Sequence, residues 1–270
     1  MSIKKRVLIT GGSSGIGKES AKFLSSCGYK VYVGSREPSK LDDIKSPTLK
    51  PIYLDITSKD SVKEAIESIE DIDILVNNAG YGLVSTIEEM DEDEMFNQFN
   101  VNLFGLLRVT KAVIPAMRKN GAGVIINISS FLGRVGLPLL ALYNSSKYAV
   151  EGITDSLRYE LKDFNIRVHS IMPGFFDTNF ARDNLVINSN ILSKDTPYKK
   201  LIDNLAPNII EQINSGNSPK EVAELILQII EDENSLARYT AGEKSKKFIP
   251  MRRELSDEDF ERRVREYYNL

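Results

Sequence analysis

Thr10-Gly11-Gly12-Ser13-Ser14-Gly15-Ile16-Gly17 follows the apolar run Val7-Leu8-Ile9 directly and opens an amphipathic stretch that reaches Ser26. Glycine lets a chain turn tightly and lets backbone N–H groups approach a bound anion, which a helix N-terminus also favours. A glycine-rich turn between a strand and a helix therefore reads as a pyrophosphate cradle. Its spacing, Thr-Gly-x-x-x-Gly-x-Gly, is one residue longer than Gly-x-Gly-x-x-Gly.

Outward from that turn, short apolar runs alternate with longer amphipathic ones. Strands are predicted over residues 6–10, 30–34, 50–54, 72–77, 123–129, 167–172 and 238–241. Most are continuous apolar runs, the pattern of strands covered on both faces of a parallel sheet. Helices are predicted over residues 16–26, 58–69, 91–120, 142–164 and 219–230, the last with Ser218 as N-cap and Pro219 at its first position. Repeated strand–helix–strand order implies right-handed crossovers and an α/β, doubly wound parallel sheet of about seven strands in a single domain. Ligands of such sheets sit beyond the carboxyl ends of the strands.

Two regions depart from the rhythm. Residues 175–217 mix Asn, Ser, Asp and Pro with Phe175, Phe176, Phe180, Leu185, Val186, Ile187, Ile191 and Leu192, and read as a long loop serving as a substrate lid. Residues 243–270 form a charged helical extension to the 1–242 domain, with a capping box at Ser256-Asp257-Glu258-Asp259.

Composition narrows the class. The 270 residues suit one large α/β domain, and 41% hydrophobic content is enough for a full core. A net charge of −3 gives no electrostatic footprint for nucleic acid or an anionic membrane. Cys27 has no cysteine partner and His169 no second histidine, which excludes an internal disulfide and leaves no metal site expected. Both counts fit a reducing, cytoplasmic location. The basic start Met1-Ser2-Ile3-Lys4-Lys5-Arg6 is followed by too short an apolar run for a signal peptide, and no stretch is long enough for an integral membrane segment.

Further motifs follow in order. Asp55-Ile56 closes the third predicted strand and Asn77-Asn78-Ala79-Gly80 the fourth; Asn102 lies in Asn100-Val101-Asn102-Leu103-Phe104-Gly105. Ser130 stands 13 residues before Tyr143, Lys147 follows Tyr143 by four, and Pro173-Gly174 with Thr178 comes after the sixth strand. From residue 7 to about 178 this set resembles the short-chain dehydrogenase/reductase family, in its single-domain, shorter-chain branch. The resemblance implies a Rossmann-like fold with a dinucleotide on Gly11, Ser13, Ser14, Gly15, Ile16 and Gly17. It also implies an adenine contact at Asp55 and Ile56, cofactor contacts at Asn78, Ala79 and Gly80, and a nicotinamide contact at Pro173, Gly174 and Thr178. Family members commonly pair through two long helices, so a homodimer or homotetramer is expected through residues 91–120 and 142–164.

The end of the second strand bears on which nicotinamide cofactor is used. An acidic residue there would bind the ribose hydroxyls and repel a 2′-phosphate. Gly34-Ser35-Arg36-Glu37 instead offers Ser35 and Arg36, and guanidinium pairs bidentately with phosphate, so NADP(H) is expected over NAD(H). Arg36 as an ordinary solvated loop charge stays open.

Moving a hydride to or from carbon requires an acid/base at the substrate oxygen. Tyrosine ionises too high for that role near neutrality unless a cation lowers it. Tyr143 and Lys147 fall one helical turn apart on one face, which supplies the cation. Ser130 would hold the substrate oxygen against Tyr143. By the resemblance, Lys147 also anchors the ribose and Asn102 carries a water linking Lys147 to solvent. Ser129 is expected to point away from Ser130.

Other features read as structural. His169 is expected as a packed strand histidine, Cys27 as a small buried residue, and Lys244, Lys246 and Lys247 as a solvated charge run. No Gly-x-Ser-x-Gly elbow supports a hydrolase. Leu137, Leu139, Leu140, Phe175, Phe176 and Phe180 would line an apolar pocket for a small lipophilic alcohol or carbonyl compound. Residues 133–147 also resemble the hydroxysteroid and retinol dehydrogenase subgroup. Two rival functions remain: an acyl-carrier-protein ketoreductase, docking through Arg134 and Lys199-Lys200, and a dinucleotide-sensing regulator without turnover.

Overall fold

Alternate residues of the first strand feed opposite layers. In the computed structural model, which describes residues 5–178, 180–192 and 195–270, Val7, Leu8 and Ile9 are all fully buried. Val7 and Ile9 pack with Val31, Val33, Val76 and Ile226 on one face of the sheet, and Leu8 with Leu75, Val109, Val113 and Ile125 on the other. That is why the run carries no polar alternation: neither face meets water. Residues 1–4, the basic start of the chain, lie outside the described residues.

The chain runs β1 (Arg6–Thr10), α1 (Gly15–Ser26), β2 (Lys30–Ser35), β3 (Leu49–Tyr53), α2 (Lys59–Glu67), β4 (Ile74–Asn77) and β5 (Gly82–Val84). Then come α3 (Glu92–Phe99), a π-helical turn at Asn100–Gly105, α4 (Leu106–Asn120), β6 (Gly123–Ile128), α5 (Ala141–Glu160) and β7 (Ile166–Pro173). The remainder is α6 (Phe180–Asp183), β8 (Leu185–Ile187), α7 (Lys199–Asn214), α8 (Lys220–Glu231), β9 (Arg238–Ala241), α9 (Gly242–Glu254) and α10 (Asp257–Tyr268). The main sheet has seven strands in the order β3-β2-β1-β4-β6-β7-β9, every neighbouring pair parallel. This is the expected doubly wound, Rossmann-like sheet. The strand order reverses between β1 and β4, so a crevice opens beyond their carboxyl ends.

The expected long loop is corrected, and the helical extension and helix bounds gain detail. The 175–217 loop holds three short elements and the 16-residue helix α7. Ile202, Leu205, Ile209 and Ile213 bury one face of that helix, but Pro207 in its interior makes the stretch read as a helix breaker. β8 pairs in parallel with β5, a small sheet that no alternation announces. The 243–270 extension is two helices, and Phe248, Phe260, Val264 and Tyr268 join a third core with Phe131, Phe175 and α7. Ser256 caps α10 by accepting from the Asp259 N–H at 3.1 Å. The helix over 91–120 is interrupted by the π turn; that over 142–164 ends at Glu160, and α8 starts just after Pro219.

Candidate active site

Gly11 (φ +64°) and Gly15 (φ +52°) adopt the left-handed conformation that the turn after β1 requires. Ser14 is the N-cap of α1, yet its side chain makes no capping bond. The first N–H groups of a 12-residue helix therefore face the crevice, suited to a pyrophosphate. A cavity of about 610 Å³ begins there, with Gly11, Ser13, Ser14, Gly15 and Ile16 in its wall. Gly17 stands just outside this lining. It packs behind the turn, where a Cβ would lie 2.5 Å from Asn78 Nδ2 and 2.7 Å from the Gly11 carbonyl.

The far end of this half-cavity is formed by the ends of β2 and β3. Ser35, Arg36 and Glu37 line it, as do Asp55, Ile56 and Thr57. Glu37 is drawn aside onto Lys40 at 2.8 Å, while Arg36 is exposed and has no charged partner among the described residues. Asp55 accepts from the backbone N–H and hydroxyl of Thr57 at 2.9 and 2.7 Å, which fixes the loop. Asn78, Ala79 and Gly80 close the cavity from β4. Pro173, Gly174 and Thr178 overhang it from β7, and Thr178 reaches the glycine turn, where a Cβ on Gly15 would touch it at 3.3 Å.

Ser130, Tyr143 and Lys147 share the next stretch of wall. Ser130 leaves the end of β6; its Oγ accepts from the Leu132 N–H at 3.1 Å, and its hydroxyl eases ionisation of Tyr143. The loop before α5 is locked by Asn144, whose Nδ2 donates to the Leu137 carbonyl at 2.9 Å. Leu139 sits in the left-handed region at φ +62°. Ser129 also touches the cavity, but its buried Oγ has no partner among the described residues.

Lys147 is buried and donates to the Ile128 carbonyl at 2.9 Å, with Nζ 5.7 Å from the Tyr143 ring centre. Burial lowers its ammonium to about 8, and Glu151 opposes that fall. Burial pushes the Tyr143 hydroxyl up to about 12, against the bond from Ser130. Desolvation thus governs Tyr143 in the free site, where the expected lowering by Lys147 does not show. Asn102 stands behind Gly80 and outside the cavity wall. Its Oδ1 accepts from the Tyr81 N–H at 3.0 Å, and its Nδ2 donates to the Tyr81 carbonyl at 2.9 Å and to Ser146 Oγ at 3.1 Å.

The rest of the cavity is largely apolar. Leu140, Phe175, Phe176 and Phe180 line it as expected, whereas Leu137 and Leu139 are buried core without reaching it. Leu185 of the expected lid belongs to it too, as do Phe131, Ile209 and Ile213, which were not singled out in the sequence. Ile209 and Ile213 could have been found only by reading helical spacing across Pro207.

The bland readings fare unevenly. His169 is packed, its Nδ1 2.7 Å from the Leu236 carbonyl, and burial lowers its imidazole to about 4. Cys27 is a half-buried C-cap. The 244–247 lysines are engaged, not simply solvated: Lys246 pairs with Glu221 at 2.7 Å, and Lys244 and Lys247 lie over the Tyr267 ring at 4.6 and 4.5 Å. No described helix is long and apolar enough to cross a membrane, and no metal-ligating cluster occurs among the described residues.

Residues 5–185 match the family model for short chain dehydrogenase. The chain is 36% identical over 255 residues to a 3-ketodihydrosphingosine reductase of Bacteroides thetaiotaomicron, covering 90% of this chain and 93% of that one. A short-chain dehydrogenase from Streptomyces avermitilis superposes with a TM-score of 0.83 at 28% identity, covering 100% of this chain and 97% of that one. One from Burkholderia cenocepacia, in complex with NADP, gives 0.77 at 26% identity, covering 97% and 98%. The chain belongs to the short-chain dehydrogenase family and is an oxidoreductase of that kind.

Proposed function

We propose that this enzyme interconverts a lipophilic ketone and its alcohol with NADP(H), using Tyr143 as the acid/base. The observation that carries the reading is one continuous cavity. The glycine turn and unpaired Arg36 stand at one end, Ser130, Tyr143 and Lys147 in the middle, and an apolar wall at the other.

The nicotinamide, when bound, supplies a hydride to the carbonyl carbon or takes one from the alcohol carbon. Ser130 holds the substrate oxygen beside the Tyr143 hydroxyl. In reduction Tyr143 gives its proton to that oxygen as the C–H bond forms; in oxidation it takes the proton back. Burial holds the Tyr143 hydroxyl protonated in the free site at neutral pH, the form that donates in reduction. Lys147 offsets the negative charge left on Tyr143 and anchors the ribose; Asn102 helps to return the proton.

Arg36 beside Ser35 favours a 2′-phosphate, and a structural neighbour holds NADP. Phe175, Phe180, Ile209 and Ile213 favour a lipophilic substrate, under a lid built from α6 and α7. The name of the Bacteroides relative refers to a ketone reductase, which agrees with that choice, as does the likeness of residues 133–147 to hydroxysteroid and retinol dehydrogenases. Exposed Phe96, Phe104 and Tyr159 on the helices α3 to α5 suit a homodimer or homotetramer, which light scattering on the eluted protein would reveal. A cytoplasmic location completes the reading.

The test titrates NADPH and NADH by fluorescence, then compares wild type and Tyr143→Phe on aryl, steroidal and long-chain ketones. The expected result is tighter NADPH binding and turnover lost at least a hundredfold in the variant, with binding retained. A Tyr143→Phe protein that turns over normally overturns the mechanism.

A further inference from the structure

Glu151 lies one turn beyond Lys147 and two beyond Tyr143 on the same face of α5. Its side chain keeps only 3% exposure, a burial that a carboxylate tolerates when paired. Two arginines reach it from different elements. Arg134, next after the Phe131–Gly133 turn that follows Ser130, approaches to 3.3 Å; Arg238, at the start of β9, approaches to 2.6 Å. Both bond Oε2, and the buried Oε1 has no partner among the described residues. Gly133 rests against this stem: a Cβ there would lie 3.1 Å from Glu151 Cγ, 3.0 Å from the Lys147 carbonyl and 2.8 Å from Ser129 Oγ.

The geometry points to Glu151 as a positioning residue that ties the Ser130 turn to the Tyr143–Lys147 helix and holds Lys147 in its charged form. This rests on the roles proposed above for Tyr143 and Lys147. A surface ion pair would serve neither purpose, since water screens it and it spans no catalytic element. Here the carboxylate joins α5 to the turn after Ser130 and to β9, and it is shielded from solvent. Around Lys147 stand Tyr143 and Glu151 from its own helix, the Ile128 carbonyl from β6, and Asn102 across Gly80. Around Glu151 stand Arg134 and Arg238, with Asp155 sharing Arg238 at 2.6 Å, and Tyr148 in the field of Arg134 and Arg252.

The experiment measures kcat for ketone reduction and NADPH affinity from neutral to alkaline pH. Glu151→Gln keeps the volume and removes the charge, so Lys147 loses its proton at lower pH. Both alkaline limbs are expected to move down by about one pH unit, with kcat reduced about tenfold and KM changed less than about twofold. Glu151→Asp restores the charge and returns the limbs toward wild type. Arg134→Met removes a positive neighbour at a half-exposed site and moves the limbs to higher pH. A folded Glu151→Gln with unmoved limbs overturns the proposal; if that variant does not fold, unmoved limbs in Arg134→Met overturn it. Tyr143→Phe, measured alongside, separates the two failures. Full turnover there sinks the underlying mechanism, whereas lost turnover with unmoved limbs in Glu151→Gln sinks only the role of Glu151.

Discussion

Asn78 and Thr10 are joined two ways: the Asn78 N–H donates to Thr10 Oγ1 at 3.1 Å and its Nδ2 donates to the Thr10 carbonyl at 3.0 Å, while the adjacent Ala79 N–H shares the same hydroxyl. Asn78 Nδ2 also reaches the Gly11 carbonyl at 2.9 Å. The glycine turn after β1 is thereby strapped to the end of β4. Asn78→Ala removes the side-chain straps and is expected to lower stability by about 1–3 kcal/mol. NADPH affinity should fall about tenfold as the turn loosens. Urea unfolding and fluorescence titration measure both; unchanged affinity in a folded variant would show that the turn holds its shape alone.

Gly17 packs behind the glycine turn, where only a residue without a Cβ fits. Gly17→Ala drives a methyl against Asn78 Nδ2 and the Gly11 carbonyl, a clash worth about 1–3 kcal/mol, and should abolish tight NADPH binding. Gly152→Ala is the control. It lies inside α5 with nothing within 4 Å of its added Cβ, so it should stabilise by about 0.5–1 kcal/mol. Thermal melts of the pair should move in opposite directions.

Arg36→Ala tests the cofactor preference. The Kd for NADPH should rise about tenfold or more, while that for NADH stays within about twofold. Equal weakening of both would make Arg36 a general electrostatic contact, with no phosphate selectivity.

His169 supplies a pH test of stability, because it is the only histidine in the sequence. Its folded imidazole titrates near 4, below the ordinary value of 6.5. The unfolded chain therefore binds the proton more readily between those values, and stability falls as pH drops through this window. Wild type should lose about 2 kcal/mol more than His169→Gln between neutrality and pH 5, measured by denaturant unfolding. Parallel losses in the two proteins would contradict this.

Much of this site could be read from the chain because it depends on local spacing. The run at Val7–Ile9, the turn after it, and the separations of Ser130, Tyr143 and Lys147 are covalent facts that survive folding intact. Helix α7 was hidden by Pro207, whose helix-breaking tendency is overridden where Ile202, Leu205, Ile209 and Ile213 find a core. Leu137 and Leu139 read as pocket residues, but their loop folds inward at Leu139 and buries them. The pair Tyr143 and Lys147 was legible as a pair. Its direction of titration was not, since desolvation depends on everything packed around it.

The π turn at Asn100–Gly105 acts as a phase corrector. Gln98, Asn102 and Leu106 are buried at steps of four, and an α-helix would carry each step about 40° off line. The wider turn absorbs that drift, so one continuous rod keeps Gln98 and Asn102 aimed inward while α4 still lays Val109, Val113 and Met117 on the sheet. Shortening the rod by one residue would restore regular helical bonding and rotate Asn102 away from Tyr81.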